Sequence, residues 1–218
     1  YVNWGAGFMD YDNDGWTDIF YVTGHVYPKI QRYKVDAEFK TPRIVYRNLG
    51  DGRFKDVSSR LGPGVLERYS SRGCAFGDYD NDGDLDIYVS NRGGRNYLFR
   101  NEGNSNSWLH IRAIGTQSNR CGIGVRIKVT AGDLVQIREV DGGSGYGCQD
   151  SLEVEFGFGS YNGTATVEIK WPSGVVQRLE EVPLNRKINV IEPALLMAIS
   201  VSPSPKAEAR RDIPSICV

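Results

Sequence analysis

Two nine-residue stretches set acids at alternate positions around a glycine. The first runs Asp10-Tyr-Asp12-Asn-Asp14-Gly15-Trp16-Thr-Asp18, and the second Asp78-Tyr-Asp80-Asn-Asp82-Gly83-Asp84-Leu-Asp86. Both satisfy D-x-D-x-D-G-x-x-D. Side chains at positions 1, 3 and 5 converge when the chain curls around one point, and glycine at position 6 permits the sharp turn. Position 7, Trp16 or Asp84, can add its backbone carbonyl, and the acid at position 9, Asp18 or Asp86, closes an all-oxygen cage. That donor set suits Ca2+, a hard cation that takes about six to eight oxygens in flexible geometry. Mg2+ keeps more water and fewer protein ligands, and zinc would require His or Cys that neither loop supplies. Asp, Asn and Gly also build plain β-turns. Against that reading, four carboxylates held within nine residues repel one another unless neutralised, and the pattern occurs twice in one register. Two Ca2+ sites are expected, with a structural role: no nucleophile or general base accompanies them.

These loops are embedded in strands. An EF-hand places its last acid at position 12, between helices. Here the last acid leads straight into Ile19-Phe-Tyr-Val22 or Ile87-Tyr-Val89. Short runs rich in Val, Ile, Tyr and Phe, several alternating apolar with polar, are separated by Gly, Asn and Asp turns. They include Ile44–Arg47, Tyr97–Arg100, Val125–Val129 and Val167–Trp171. Alternation of period two marks half-buried strands, so the fold class is all-β, with at most one helical turn between Leu61 and Tyr69. The sequence from Gly7 to Val22 recurs 68 residues later as Ala75 to Val89, and Val45-Tyr-Arg-Asn-Leu-Gly50 resembles Leu98-Phe-Arg-Asn-Glu-Gly103. A unit repeated in this way suggests packed blades. The pattern changes near Trp108, which divides the chain into 1–105 with the two loops, 106–193 as a separate strand-rich module, and a Pro-containing tail at 194–218.

The loops with their flanks, such as Cys74-Ala-Phe-Gly-Asp-Tyr-Asp-Asn-Asp-Gly-Asp-Leu-Asp-Ile-Tyr-Val89, resemble FG-GAP/VCBS repeats. Asn48-Leu-Gly-Asp-Gly-Arg-Phe-Lys-Asp-Val57 is similar to the segment preceding such a loop in that family. The second module resembles the ASPIC/UnbV domain, through Trp108-Leu-His-Ile-Arg112, Ile123-Gly-Val-Arg-Ile127, Gly142-Gly-Ser-Gly-Tyr146, Phe156-Gly-Phe-Gly159 and Trp171-Pro-Ser-Gly174. The two together are the arrangement of the cartilage acidic protein family and its bacterial relatives. The resemblance implies partial β-propeller-like blades, Ca2+ in the loops, a small β-sandwich-like second module, and a secreted or cell-surface location with matrix or adhesion roles. A whole propeller needs more blades than this sequence encodes. Either the chain is a fragment or its open sheet edges meet something else, and unpaired edges invite other strands. Self-assembly into a homo-oligomer or filament is therefore an expectation, as is contact with an extracellular glycan or matrix protein.

Composition excludes other classes. Net charge is −1 and hydrophobic residues make up 40%, so nothing draws in nucleic acid over distance, and no apolar run is long enough for membrane insertion. His25 and His110 lack acid or nucleophile companions and read as structural. No catalytic residue is expected, and the chain is read as a non-enzyme. Trp4, Trp16, Trp108 and Trp171 leave open a carbohydrate-binding module, or a non-catalytic fragment of a polysaccharide-active enzyme. Cys121 and Cys148, both in turn-rich segments, are candidates for a disulfide, with Cys74–Cys217 a weaker pairing. Asn162-Gly-Thr164 is a glycosylation sequon.

Overall fold

The computed structural model describes residues 1–143 and 145–194. The tail expected at 194–218, with Cys217, therefore lies outside the described residues apart from its first position. Each Asp loop joins the first two strands of its own antiparallel sheet. The first sheet is a meander of β1 (Asn3–Met9), β2 (Asp18–Thr23), β3 (Ile44–Asn48) and β4 (Phe54–Asp56), in that order. A single helical turn, α1 (Pro63–Leu66), leads to the second sheet: β5 (Ser71–Gly77), β6 (Asp86–Asn91) and β7 (Tyr97–Phe99).

Alternation decides which face of each strand turns inward. In the first sheet Gly7 lies opposite Phe20, which lies opposite Val45, so these share one face. In the second, Cys74 pairs with Val89 and Phe76 with Ile87. The two faces meet as blades with β1 beside β5, enclosing Met9, Phe20, Val22, Val45, Phe76 and Val89. Arg43 pins the outer side of this seam. It is fully buried, donates through Nη1 to the carbonyls of Gly64 (3.1 Å) and Glu67 (2.9 Å), and lies over the rings of Tyr69, Tyr97 and Phe99. Its charge is thus met by carbonyl dipoles and ring faces.

The second module contains β8 (Trp108–Ile114), β9 (Arg126–Ala131), β10 (Leu134–Glu139), β11 (Glu153–Gly157), β12 (Thr164–Lys170), β13 (Val176–Pro183) and β14 (Arg186–Ile191). They form two sheets, β10-β9-β12-β13 and β11-β8-β14, with β14 parallel to β8 and the other pairs antiparallel. Inward residues from both sheets, among them Ile111, Ile127, Phe156, Val167 and Trp171, build one core, as in a face-to-face sandwich.

The structure does not join Cys121 to Cys148. Cys74, Cys121 and Cys148 are free thiols, with Cys121 exposed. The loop carrying Cys148 turns instead toward the second blade. It places that sulfur where a side chain on Gly73 would stand, away from the β8–β9 connection that holds Cys121.

Glu192 closes the sandwich just past β14. Its carboxylate is buried and accepts from the amides of Thr116 (2.9 Å), Gln117 (2.8 Å) and Ser118 (2.7 Å), and from the hydroxyls of Ser118 (2.8 Å) and Ser173 (2.5 Å). Burial alone would raise its pKa, but the Ser173 hydroxyl and the three amides outweigh it and hold the group down at about 2. A carboxyl depressed in the folded state stabilises above its unfolded pKa and loses that contribution as pH falls through the folded value. Stability should therefore fall between about pH 4.5 and 2 in the wild type. In thermal melts Glu192→Gln should cost about 2 kcal/mol at neutral pH and flatten that acid limb.

Candidate metal centre

The two Asp loops fold alike, hydrogen bond for hydrogen bond. The position 1 carboxylates, Asp10 and Asp78, each accept two backbone amides: those of Asp14 (3.0 Å) and Gly15 (2.8 Å) in the first loop, and of Asp82 (3.1 Å) and Gly83 (2.9 Å) in the second. The position 9 carboxylates close both loops. Asp18 accepts from Tyr11 N (3.3 Å) and Asn48 N (2.7 Å), and Asp86 from Tyr79 N (3.0 Å) and Asn101 N (2.8 Å). The curl needs left-handed backbone at two positions of each loop, Asn13 and Gly15 or Asn81 and Gly83. Asparagine and glycine are the residues that tolerate this region best.

Carboxylate oxygens of Asp10, Asp12 and Asp18 lie within 4.8 Å of one another, as do those of Asp78, Asp80 and Asp82. Asp14 and Asp86 fall outside these triads, although Asp14 accepts Trp16 N as Asp82 accepts Asp84 N, and Asp86 accepts two amides as Asp18 does. At position 7, the Trp16 ring rests on Gly50, while the Asp84 carboxylate is buried against Gly103 and accepts from Asn13 Nδ2 (3.0 Å). Burial, reinforced by neighbouring carboxylates and opposed by the amides, pushes Asp10 and Asp18 up to about 7 and Asp84 to about 6. One buried oxygen, Asp12 Oδ1, has no hydrogen-bond partner. All-oxygen triads and an orphaned inward oxygen fit a hard divalent cation.

Two arginines were not singled out from the sequence. Arg47 Nη2 bridges Asp12 (2.8 Å) and Asp14 (3.0 Å), and Arg100 reaches Asp80 (3.0 Å) and Asp82 (3.9 Å). Both come from the repeated Arg-Asn-x-Gly element, whose recurrence was the available signal. Each places a cation on positions 3 and 5 of the loop, while the next asparagine presents its amide to position 9.

Both loops lie at the seam with the second module. Asn13 Nδ2 also donates to Gly83 O (3.2 Å), joining loop to loop. Gly157 of β11 packs on Asn13 and Asp10 where a side chain would collide, and the Trp108 indole fills the space over Gly83. His110, fully buried, sets Nδ1 3.5 Å from Asp78, and burial lowers its pKa to about 4. Lys187 reaches Asp78 (3.3 Å) and Glu153 (3.1 Å). The tryptophans form no shared platform: Trp171 is core, Trp4 packs on Tyr146 and Arg72, and Trp108 on His110. Asn162 is exposed in the β11–β12 connection.

A family model for FG-GAP-like repeats matches residues 10–89 and 78–135, more than half of the chain. The chain belongs to the FG-GAP-like repeat family. A second model, ASPIC and UnbV, matches residues 115–195. Among curated proteins, cartilage acidic protein 1 of Mus musculus and of Homo sapiens are each 27% identical over 193 residues, covering 84% of this chain. The namesake of Xenopus tropicalis is 36% identical over 76 residues, 35% of the chain. The chain spans only 28% and 27% of the mouse and human relatives.

Asn13 and Asn81 share the same strained backbone but not the same surroundings. Asn13 is buried and ties the two loops, whereas Asn81 is exposed and only accepts from Lys187. Asn13→Ala should cost about 2 kcal/mol more than Asn81→Ala in urea unfolding. Equal losses would show that the inter-loop bridge contributes nothing.

Proposed function

We propose that the chain is an extracellular, non-catalytic structural and adhesive module whose repeats are made rigid by Ca2+ in both Asp loops. The observation that carries this reading is the duplicated cage: two loops with one hydrogen-bond pattern, each gathering three carboxylates within 4.8 Å. Asp10, Asp12 and Asp18 would hold one ion, and Asp78, Asp80 and Asp82 the other. The bound cation would supply charge neutralisation, and the chain's own groups do the rest. Backbone amides fix the carboxylates, and Asn13, Gly157 and Trp108 lock the loops to the second module. Rigid loops at such a seam set how two modules sit together, which is what a matrix or surface spacer requires.

Two considerations support the setting. Relatives carry cartilage in their name, a tissue that consists mostly of extracellular matrix. Ca2+ is abundant outside cells, where modest sites with dissociation constants of about 0.1–1 mM stay filled. No helix among the described residues is long and apolar enough to cross a membrane.

Isothermal titration with Ca2+ should give two ions per chain, and saturating Ca2+ should raise the melting temperature by mass action. Asp12→Asn should remove one ion and Asp80→Asn the other. A melt unmoved by EDTA together with no titration heat would sink the proposal. Arg47→Gln removes the cation already seated on Asp12 and Asp14. Without added ion it should lower the melting temperature, and with Ca2+ it should bind the first-loop ion more tightly, because the ion no longer competes with a guanidinium.

A further inference from the structure

A net charge of −1 hides a segregation of charge within the two blades. Acids crowd into the Asp loops, at one end of the strands. The opposite end is built from the β2–β3 connection, residues 24–43, with residues 64–73 and 91–97 of the second blade, and there nine lysines and arginines meet three acids. Three contacts bring these segments together. Arg92 Nη1 donates to Val26 O (2.8 Å), Arg72 Nη2 donates to His25 O (3.1 Å), and Thr41 pairs with Tyr69 in an isolated bridge. Of the nine cations, only Arg68 pairs with a carboxylate, that of Glu38, among the described residues. Elsewhere arginines are neutralised: Arg47 and Arg100 by loop acids, and Arg178 by Glu180. At this end they are held by groups that leave the charge uncancelled. Arg72 lies over the Trp4 ring at 4.5 Å, Arg95 over Tyr97 at 5.9 Å and Lys40 over Tyr69 at 5.8 Å. Lys29, Arg32, Lys34 and Arg92 stand exposed.

We infer that this basic end of the blades binds a sulfated glycan chain. Cations left unpaired on one surface raise the local potential and draw in a polyanion, and guanidinium forks suit the paired oxygens of an oxyanion such as sulfate. A chain with anions at intervals would relieve the mutual repulsion of all three segments at once. Nucleic acid carries similar charge, but single strands are gripped by stacking bases on open rings. The rings here are already occupied: Tyr69 and Tyr97 face cations, and Tyr27 lies against His25 at 5.6 Å between centroids. The preference for a glycan also rests on the extracellular setting proposed above, whereas the basic end itself depends on no bound ion.

Immobilised heparin, probed with the whole chain at increasing salt, provides the test. Binding should weaken steeply with salt, as counterion release requires. Lys29→Ser/Lys34→Ser and Arg92→Ser/Arg95→Ser should each weaken it about tenfold, the loss of two exposed charge contacts. Arg126→Ser/Lys170→Ser removes two exposed cations from the β9–β12 pair instead. That variant should stay within about twofold of the wild type. Equal losses in all three variants would reduce the binding to net charge and overturn the inference, as would no binding at low salt. Single-stranded DNA or polyglutamate of matched charge competing better than heparin would overturn it in favour of that polymer. None of these outcomes alters the Ca2+ titration, so failure at the basic end and failure of the calcium cages are read separately.

Discussion

Two carboxylates whose oxygens stand 4.8 Å apart repel by about 3 kcal/mol at an effective dielectric of roughly 20, and each Asp loop gathers three of them within that separation. Such a cluster persists only where donors surround it, and the chain supplies these in layers. Backbone amides of the loop come first, then the amide of the following asparagine, then the guanidinium of Arg47 or Arg100. The first layer is delivered by the loop itself, and the other two by the Arg-Asn pair that follows the third strand's pairing. The turn needs asparagine and glycine in left-handed conformation, and the third strand must pair in a register that sets its Arg-Asn over the loop. The blade is, in this sense, arranged around the neutralisation of its own loop.

The same constraint explains where the second module sits. Backbone at the rim of a charged loop remains polar, so an apolar face alone would leave its amides and carbonyls without partners. Trp108 and Leu134 cover Gly83 and Gly15, and the polar groups are met separately. Gly157 approaches without a side chain, Asn13 and Asn101 donate amides from one repeat to the other, and Asn106 donates to Asp12 O (2.7 Å). Buried polar groups satisfied in this way fix a relative orientation more strictly than apolar packing alone.

What could be read in the sequence follows from how local each feature is. The clustering of the acids was legible because they lie within nine residues, and the strands because period-two alternation is a property of consecutive positions. The all-β class and the repeat come from the same kind of signal. Features that depend on chain crossings were not legible. Nothing in the spacing says that β14 returns parallel beside β8, and that return is what carries Lys187 to Asp78. His110 read as an isolated structural histidine, yet it is buried against a loop in the other module. Cys121 and Cys148 looked alike because both sit in turns, but the fold sends one to solvent and the other over Gly73. Arg47 and Arg100 stood in a recurring element, and only strand register reveals that they point at the acids.

The loops also differ in their charged neighbours. The first holds four acids, Asp10, Asp12, Asp14 and Asp18, with Trp16 at position 7; the second holds a fifth, Asp84, at that place. The first is paired with Arg47, and Arg138 of β10 acts on Asp10; the second is paired with Arg100 and with Lys187 of β14, which it shares with Glu153. Each loop thus meets one arginine of its own repeat and one cation of the second module. Asp84 itself is turned inward to accept Asn13 of the first loop. The second module approaches the first loop through the backbone of Gly157 and Gly159 and through the side chains of Leu134 and Gln136 beside Gly15. It approaches the second through the Trp108 indole over Gly83, with His110 and Lys187 beside Asp78. Two copies of one repeat therefore dock on the same module by different means.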